Sequence, residues 1–155
     1  MKIRKPGEQI AEEDIIRLEK ELEIHLPQEY KEFLFQNNGG YVDGFLCTPN
    51  FREIHPETYE VFMQSVNPDK FYSLEEVREE YEDNEDDPVF PGKVIPIGYD
   101  SAGNKILLGV DEAEDYGCVF FANHEWYVSK TGFYVITKIA NSFDEFVSSL
   151  HPYEG

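Results

Sequence analysis

Nine of the thirteen residues from Glu75 to Asp87 are carboxylates, and one is basic. No other stretch of the chain concentrates so many groups able to do chemistry. Carboxylates at this density can hold a cation or present a negative surface to a basic partner. A calcium loop is a poor fit, because Asp83-Asn84-Glu85-Asp86-Asp87 lacks the EF-hand spacing, its central glycine and its closing bidentate glutamate. The run begins on a helix. Ser73-Leu74-Glu75-Glu76 is a capping box, in which the serine oxygen takes the third amide and the glutamate reaches back. Leu74, Val77 and Tyr81 line one face of that helix, and Pro88 ends it. Glu79 to Asp87 therefore sit toward the helix C-terminus, where the macrodipole disfavours negative charge. Like charges four apart, such as Glu75 with Glu79 and Glu79 with Asp83, cost roughly 0.2–0.5 kcal/mol each. A helix built for stability alone would avoid this arrangement. The candidate partner-binding residues are thus Glu79, Glu80, Glu82, Asp83, Glu85, Asp86 and Asp87, with Tyr81 and Trp126 as aromatic anchors of the kind that dominate interface hot spots. The alternative is a solvated charge run or a flexible loop.

Elsewhere the chemistry-bearing residues are scattered. His25, His55, His124 and His151 form no H-E-x-x-H pattern, and neither a G-x-S-x-G elbow nor a phosphate-binding glycine loop is present. His124-Glu125 is the one histidine beside a carboxylate, and neighbours on a strand point to opposite faces. Cys47 and Cys118 lie far apart among apolar neighbours and are expected to be buried free thiols. Tyr116, Trp126, Tyr127, Phe133 and Tyr134 offer recognition surface, though core or half-buried sheet positions suit most of them. No catalytic residue, metal site or cofactor is expected.

The totals set the class. With 32 Asp and Glu against 13 Lys and Arg, the formal net charge is −19. Such a surface repels nucleic acid and anionic membranes and steers basic proteins toward it; the alternative is an acidic surface that only aids solubility. At 155 residues the chain is expected to be one domain, 1–155, burying roughly 70% of its unfolded surface around a single core. No apolar stretch approaches the roughly 20 residues of a membrane span, and no signal-peptide core follows the basic N-terminus, so the expected location is the cytoplasm.

The elements that position the acidic run follow from periodicity. Ile15, Leu18 and Leu22, widened by Ile16, mark a helix from Glu12; Pro27 suits the first position of a second, with Tyr30, Phe33 and Leu34 as its apolar face and Asn38-Gly39-Gly40 as its stop. Tyr41 to Phe51 reads as a short strand or ordered loop, and Glu57 to Gln64 as a helical segment bracketed by Pro56 and Pro68. From Val94 to Phe121 three apolar runs are separated by the turns Asp100-Ser101-Ala102-Gly103-Asn104 and Asp115-Tyr116-Gly117, which predicts an antiparallel meander. Ile95, Ile97, Ile106, Leu107, Leu108, Val110, Val119, Phe120 and Phe121 should form its buried face. Trp126 to Val128 and Phe133 to Ile136 have strand composition around a turn near Gly132. Ser142 with Glu145 is a second capping box, opening a helix whose Phe143, Phe146, Val147 and Leu150 should dock on the sheet. Helices, then strands, then a helix give an α+β fold with a central antiparallel sheet.

Taken in order, these motifs resemble the SUKH superfamily, which contains bacterial immunity proteins and yeast cell-wall-synthesis regulators. The likeness lies in Ile15-x-x-Leu18-Glu19-x-x-Leu22, Leu26-Pro27-x-x-Tyr30-Lys31-x-Phe33-Leu34 and Asn38-Gly39-Gly40, then Ile95-Pro96-Ile97-Gly98-x-Asp100-x-x-Gly103-Asn104, Gly117-x-Val119-Phe120 and Ser142-Phe143-x-Glu145-Phe146. The resemblance implies a non-enzymatic α+β domain that neutralises a cognate toxin, often a nuclease, by direct protein contact. A basic nuclease suits the acidic balance. The other class to weigh is a regulatory or scaffold binding module unconnected with a toxin; an enzyme using His124 and Glu125 is a distant third.

Overall fold

The computed structural model describes residues 1–153, within which the chain forms four helices and eleven strands. In order these are β1 (Ile3–Arg4), α1 (Glu12–Leu22), α2 (Gln28–Gln36), β2 (Gly40–Val42), β3 (Leu46–Cys47), β4 (Phe51–Ile54), β5 (Val61–Gln64), β6 (Pro68–Phe71), α3 (Leu74–Asp86), β7 (Val94–Asp100), β8 (Lys105–Gly109), β9 (Val119–Tyr127), β10 (Tyr134–Ala140), α4 (Phe143–Ser149) and β11 (His151–Pro152). Seven strands make one antiparallel sheet in the order β1-β2-β6-β7-β8-β9-β10; β4 with β5, and β3 with β11, form two small separate ladders. The fold is α+β, and its centre is the meander β7-β8-β9, extended by β10.

The period-two alternation of strands divides the meander residues between two faces. Ile95, Ile97, Ile106, Leu108, Val119 and Phe121 enter the main core, to which all four helices contribute: Ile15, Leu18 and Leu22 from α1, Tyr30 and Leu34 from α2, Leu74 and Val77 from α3, Phe143 and Phe146 from α4. Val94, Leu107, Phe120 and Ala122 point the other way, into a smaller cluster with Phe90 and Cys118 that no helix joins. The sequence pattern placed all nine meander residues on one buried face. The sheet instead buries both, because the loop around Phe90 wraps onto its second side.

Other details differ from the periodicity. Ile16 does not widen the α1 stripe but stands 54% exposed, since Ile15, Leu18 and Leu22 already fill the contact. Pro27 is the N-cap of α2, one position before the helix proper. Trp126 and Tyr127 continue the third meander strand, so Val119–Tyr127 is one nine-residue element. The segment from Glu57 to Gln64 is not helical. Tyr59 has a φ of 61°, outside the right-handed helical region, and His55 Nδ1 accepts the Glu57 and Thr58 amide N–H groups at 3.1 and 3.2 Å, closing a turn. The β-type sequence Val61-Phe62-Met63 then pairs back on β4.

Two features fix the start of α3. Ser73 Oγ accepts the Glu76 amide at 3.2 Å while Glu76 Oε1 accepts the Ser73 amide at 3.0 Å, which completes the capping box. Asn38 Oδ1 accepts the Leu74 amide at 2.8 Å. That contact needs the chain after α2 to press against Tyr72-Ser73, and Gly39 permits it: its φ is +71°, and a Cβ there would stand 2.5 Å from Ser73 N. At α4 only half of the expected box forms: Ser142 Oγ accepts the Glu145 amide at 3.0 Å, with no return bond from the Ser142 amide to Glu145 among the described residues.

Candidate partner-binding site

The buried flank of α3 decides what its outer side shows. Leu74 and Val77 are buried and Tyr81 is half-buried against the main core, and Arg78 forms an ion pair with Glu21 of α1 at 3.0 Å and donates to Glu75 at 2.6 Å. The remaining positions turn outward by helical spacing. Within the run, Glu76 pairs with Lys70 at 2.7 Å and Glu80 with Lys105 at 3.6 Å. Glu79, Glu82, Asp83, Glu85, Asp86 and Asp87 have no salt bridge among the described residues, and the last turn of the helix carries no basic residue.

Beside this row lies a groove of about 420 Å³ lined by Glu80, Asp83, Asn84, Asp86, Asp87, Val89, Phe90 and Lys105. Val89 and Phe90 make its floor, and Asn84 holds them. Its Oδ1 accepts the Val89 and Phe90 amides at 2.8 and 3.0 Å, and its Nδ2 donates to the Phe90 carbonyl at 3.1 Å. The Tyr134 amide donates to the Val89 carbonyl at 2.9 Å from the other side. An apolar floor thus lies under an acidic rim, a shape suited to the aliphatic stem and charged head of a lysine or arginine. Lys105 closes one end, donating to Tyr72 Oη and lying 5.2 Å from that ring's centre. Burial, with Glu80 nearby, pushes the Tyr72 phenol well above its usual range, so it stays protonated.

The nine residues singled out in the sequence do not form one cluster. Asp83, Asp86 and Asp87 meet in the groove, joined there by Glu80, whose charge is already partnered by Lys105. Glu79, Glu82 and Glu85 flank them on the same helix. Tyr81 is committed to packing; burial first, then Glu85 and Glu23, raises its pKa. Trp126 lies elsewhere, on a bulge of β9 where the ladder to β10 steps from Asn123 to Tyr127 against Val135 and Tyr134. Its ring packs on His55 and Phe62 of the β4–β5 hairpin, with centroids 5.3 and 5.2 Å apart. The groove residues missed in the sequence are Asn84, Val89, Phe90 and Lys105. A loop behind a proline and a strand-end lysine carry no local signal that they meet an acidic helix.

His124 and Glu125 form no pair: His124 Nδ1 lies 2.6 Å from Asn104 Oδ1, and Glu125 is exposed. Both cysteines are buried and free. Among the described residues no group of three or more His, Cys, Asp or Glu side chains is placed to hold a metal ion, and no helix is long and apolar enough to cross a membrane.

The sequence pattern of the SMI1 / KNR4 family (SUKH-1) matches residues 9–149. The chain belongs to the SUKH-1 family. The matched region runs from just before α1 to the end of α4, so all four helices and the whole meander lie within the SUKH-1 pattern. A similar protein is the SPbeta prophage-derived uncharacterized protein YokK of Bacillus subtilis (strain 168), 28% identical over 158 aligned positions that cover 89% of this chain and 73% of that protein. SUKH-1 proteins are commonly immunity proteins and generally non-catalytic, and the family suggests a protein partner.

Proposed function

We propose that this chain is an immunity protein that binds a cognate toxin domain, a basic nuclease, and neutralises it by direct contact, with no chemistry of its own. The observation that carries this reading is the outer side of α3: Glu79, Glu82, Asp83, Glu85, Asp86 and Asp87 form no salt bridge among the described residues, and Asp83, Asp86 and Asp87 line an apolar-floored groove. Keeping like charges together at a helix C-terminus opposes folding, and a basic partner relieves that cost on binding. A nuclease must carry basic residues where it holds phosphates, and an acidic surface fits there in place of the nucleic acid it repels. In this reading residues 1–155 act as one SUKH domain in the cytoplasm, where a nuclease finds its substrate, and no cofactor is needed. Tyr127 and Tyr134, with ring centres 4.8 Å apart, border the groove floor through Phe90 and supply aromatic surface that Tyr81 does not.

The test uses the C-terminal domain of the protein encoded beside this one, assayed for RNA and DNA cleavage with and without this chain. Nanomolar binding that abolishes cleavage is the expected result. No binding, with cleavage untouched, contradicts the proposal and leaves a regulatory binding module as the better reading.

A further inference from the structure

The β4–β5 hairpin has two unlike faces. Its inner face rests on β9. Phe51 packs on Phe121 with ring centres 5.5 Å apart, Glu53 Oε1 accepts from Asn123 Nδ2 at 2.8 Å, and Phe62 meets Trp126. By strand alternation the outer face carries Arg52, Ile54, Val61 and Met63. In a chain with 32 acidic residues, that outer face holds three apolar side chains, one arginine and no carboxylate. Ile54, Tyr59, Val61, Phe62 and Met63 are 47–77% exposed. Of these, Ile54, Val61 and Met63 share the outer face, while Tyr59 belongs to the turn and Phe62 to the inner face.

The free edge of β5 adds direction to that surface. The His55 amide donates to the Glu60 carbonyl at 2.9 Å, and bonded pairs alternate along an antiparallel ladder. Phe62 therefore turns its backbone groups toward Glu53, its opposite number, while Val61 and Met63 turn theirs away. No other strand pairs with β5 among the described residues.

We infer that β5 is a dimerisation edge, pairing antiparallel with β5 of a second copy of this chain about a two-fold axis at Phe62. In that register Val61 faces the partner's Met63 and Met63 faces the partner's Val61. Each of these pairs exchanges two backbone hydrogen bonds through the groups the hairpin leaves free, and the two ladders become one four-stranded sheet. Glu60 falls opposite the partner's Gln64, so no carboxylate meets another across the seam. Pairing through β4 lacks this property, since its equivalent axis sets Glu53 against Glu53. Arg52 and the absence of acids disfavour a basic partner at this face and suit another copy of an acidic chain. Pairing along one short edge buries less than the roughly 800 Å² a side of a standard interface, which points to weak, concentration-dependent association. The groove beside α3 is not part of this seam, so dimerisation and the proposed toxin contact are separate events.

Sedimentation velocity on the full chain, across micromolar concentrations and rising salt, tests the inference. The expected result is a reversible shift from 18.0 kDa to twice that mass, strengthened by salt because screening relieves repulsion between two copies of charge −19. Val61→Lys and Met63→Pro should be monomeric with unchanged near-ultraviolet circular dichroism, since both sites are exposed and the Met63 amide points away from β4. Should either variant misfold, hydrogen exchange on the wild-type chain decides: Val61 and Met63 amides should gain protection with concentration. A wild-type chain that stays at 18.0 kDa throughout overturns the inference, as does a folded Val61→Lys variant that still dimerises. A monomeric chain whose Val61 and Met63 amides become protected only by the neighbouring protein's C-terminal domain assigns the edge to that partner and overturns it too.

Discussion

Asn84 holds Phe90 by two hydrogen bonds of opposite sense: Oδ1 accepts the Phe90 amide at 3.0 Å, and Nδ2 donates to the Phe90 carbonyl at 3.1 Å. With the further bond from the Val89 amide, one carboxamide ties the loop behind α3 to the helix and seats Phe90 in the cluster on the second sheet face. Asn84→Ala leaves these partly buried backbone groups unpaired and should cost about 2 kcal/mol. Urea unfolding measures that loss, and a partner titration should show weaker binding through a disordered groove floor.

The Lys70–Glu76 pair gives a pH signature at the other end of α3. Burial works against ionisation of Glu76, but hydrogen bonds from Lys70 Nζ and the Ser73 amide outweigh it and hold the carboxyl below its usual range; the same bond to Glu76 raises Lys70. A carboxyl depressed in the folded state adds stability above its unfolded pKa and loses it as pH falls through the folded value. Lys70→Met should therefore cost about 1 kcal/mol at neutral pH, the ion pair being partly exposed. The gap between variant and wild type should close on acidification, as followed by thermal unfolding across pH.

Glu53 behaves in the opposite sense. It is fully buried, and its Oε2 has no hydrogen-bond partner among the described residues. Burial raises its pKa, and the hydrogen bonds from Asn123 and Gln64 with the nearby His55 only partly offset this. The folded state then holds this proton more tightly than the unfolded one. The stabilising contribution is full below the unfolded pKa and is lost as pH rises through the folded value. Glu53→Gln, which keeps an acceptor for Asn123 and removes the charge, should be more stable than wild type at neutral pH by about 1 kcal/mol, with the difference shrinking in acid.

Periodicity and turn chemistry were enough to read the scaffold. The stripes of α1 and α4, the capping box at Ser73 and the turn at Asp100 to Asn104 are local signals, and the structure retains them: Asp100 Oδ1 accepts the Ala102 and Asn104 amides at 3.0 and 2.8 Å. What escaped is non-local. Glu57 to Gln64 reads as a helix between prolines, because the contacts that make it a turn and a strand come partly from Tyr127 and Ser129, 72 residues away. The acidic helix was legible, its groove was not: Val89 and Phe90 meet it through Asn84, and Lys105 arrives from β8. The spacing of Leu74, Val77 and Tyr81 does place Tyr81 on the packed face, whereas nothing local tells that Trp126 lies far from α3.

Neutralising the unpaired acids separates structure from recognition. The variant Glu79→Gln, Glu82→Gln, Asp83→Asn, Asp86→Asn spares Glu80, which pairs with Lys105. Relief of like-charge repulsion at the helix C-terminus should leave it as stable as wild type or slightly more so. The most direct test of the central claim is the association rate of this variant and of wild type with the neighbouring protein's C-terminal domain, measured at low and moderate salt. An acidic α3 that docks a basic surface requires wild type to associate about tenfold or more faster at low salt, with the advantage fading as salt rises. Equal rates and equal salt dependence for the two proteins would contradict it.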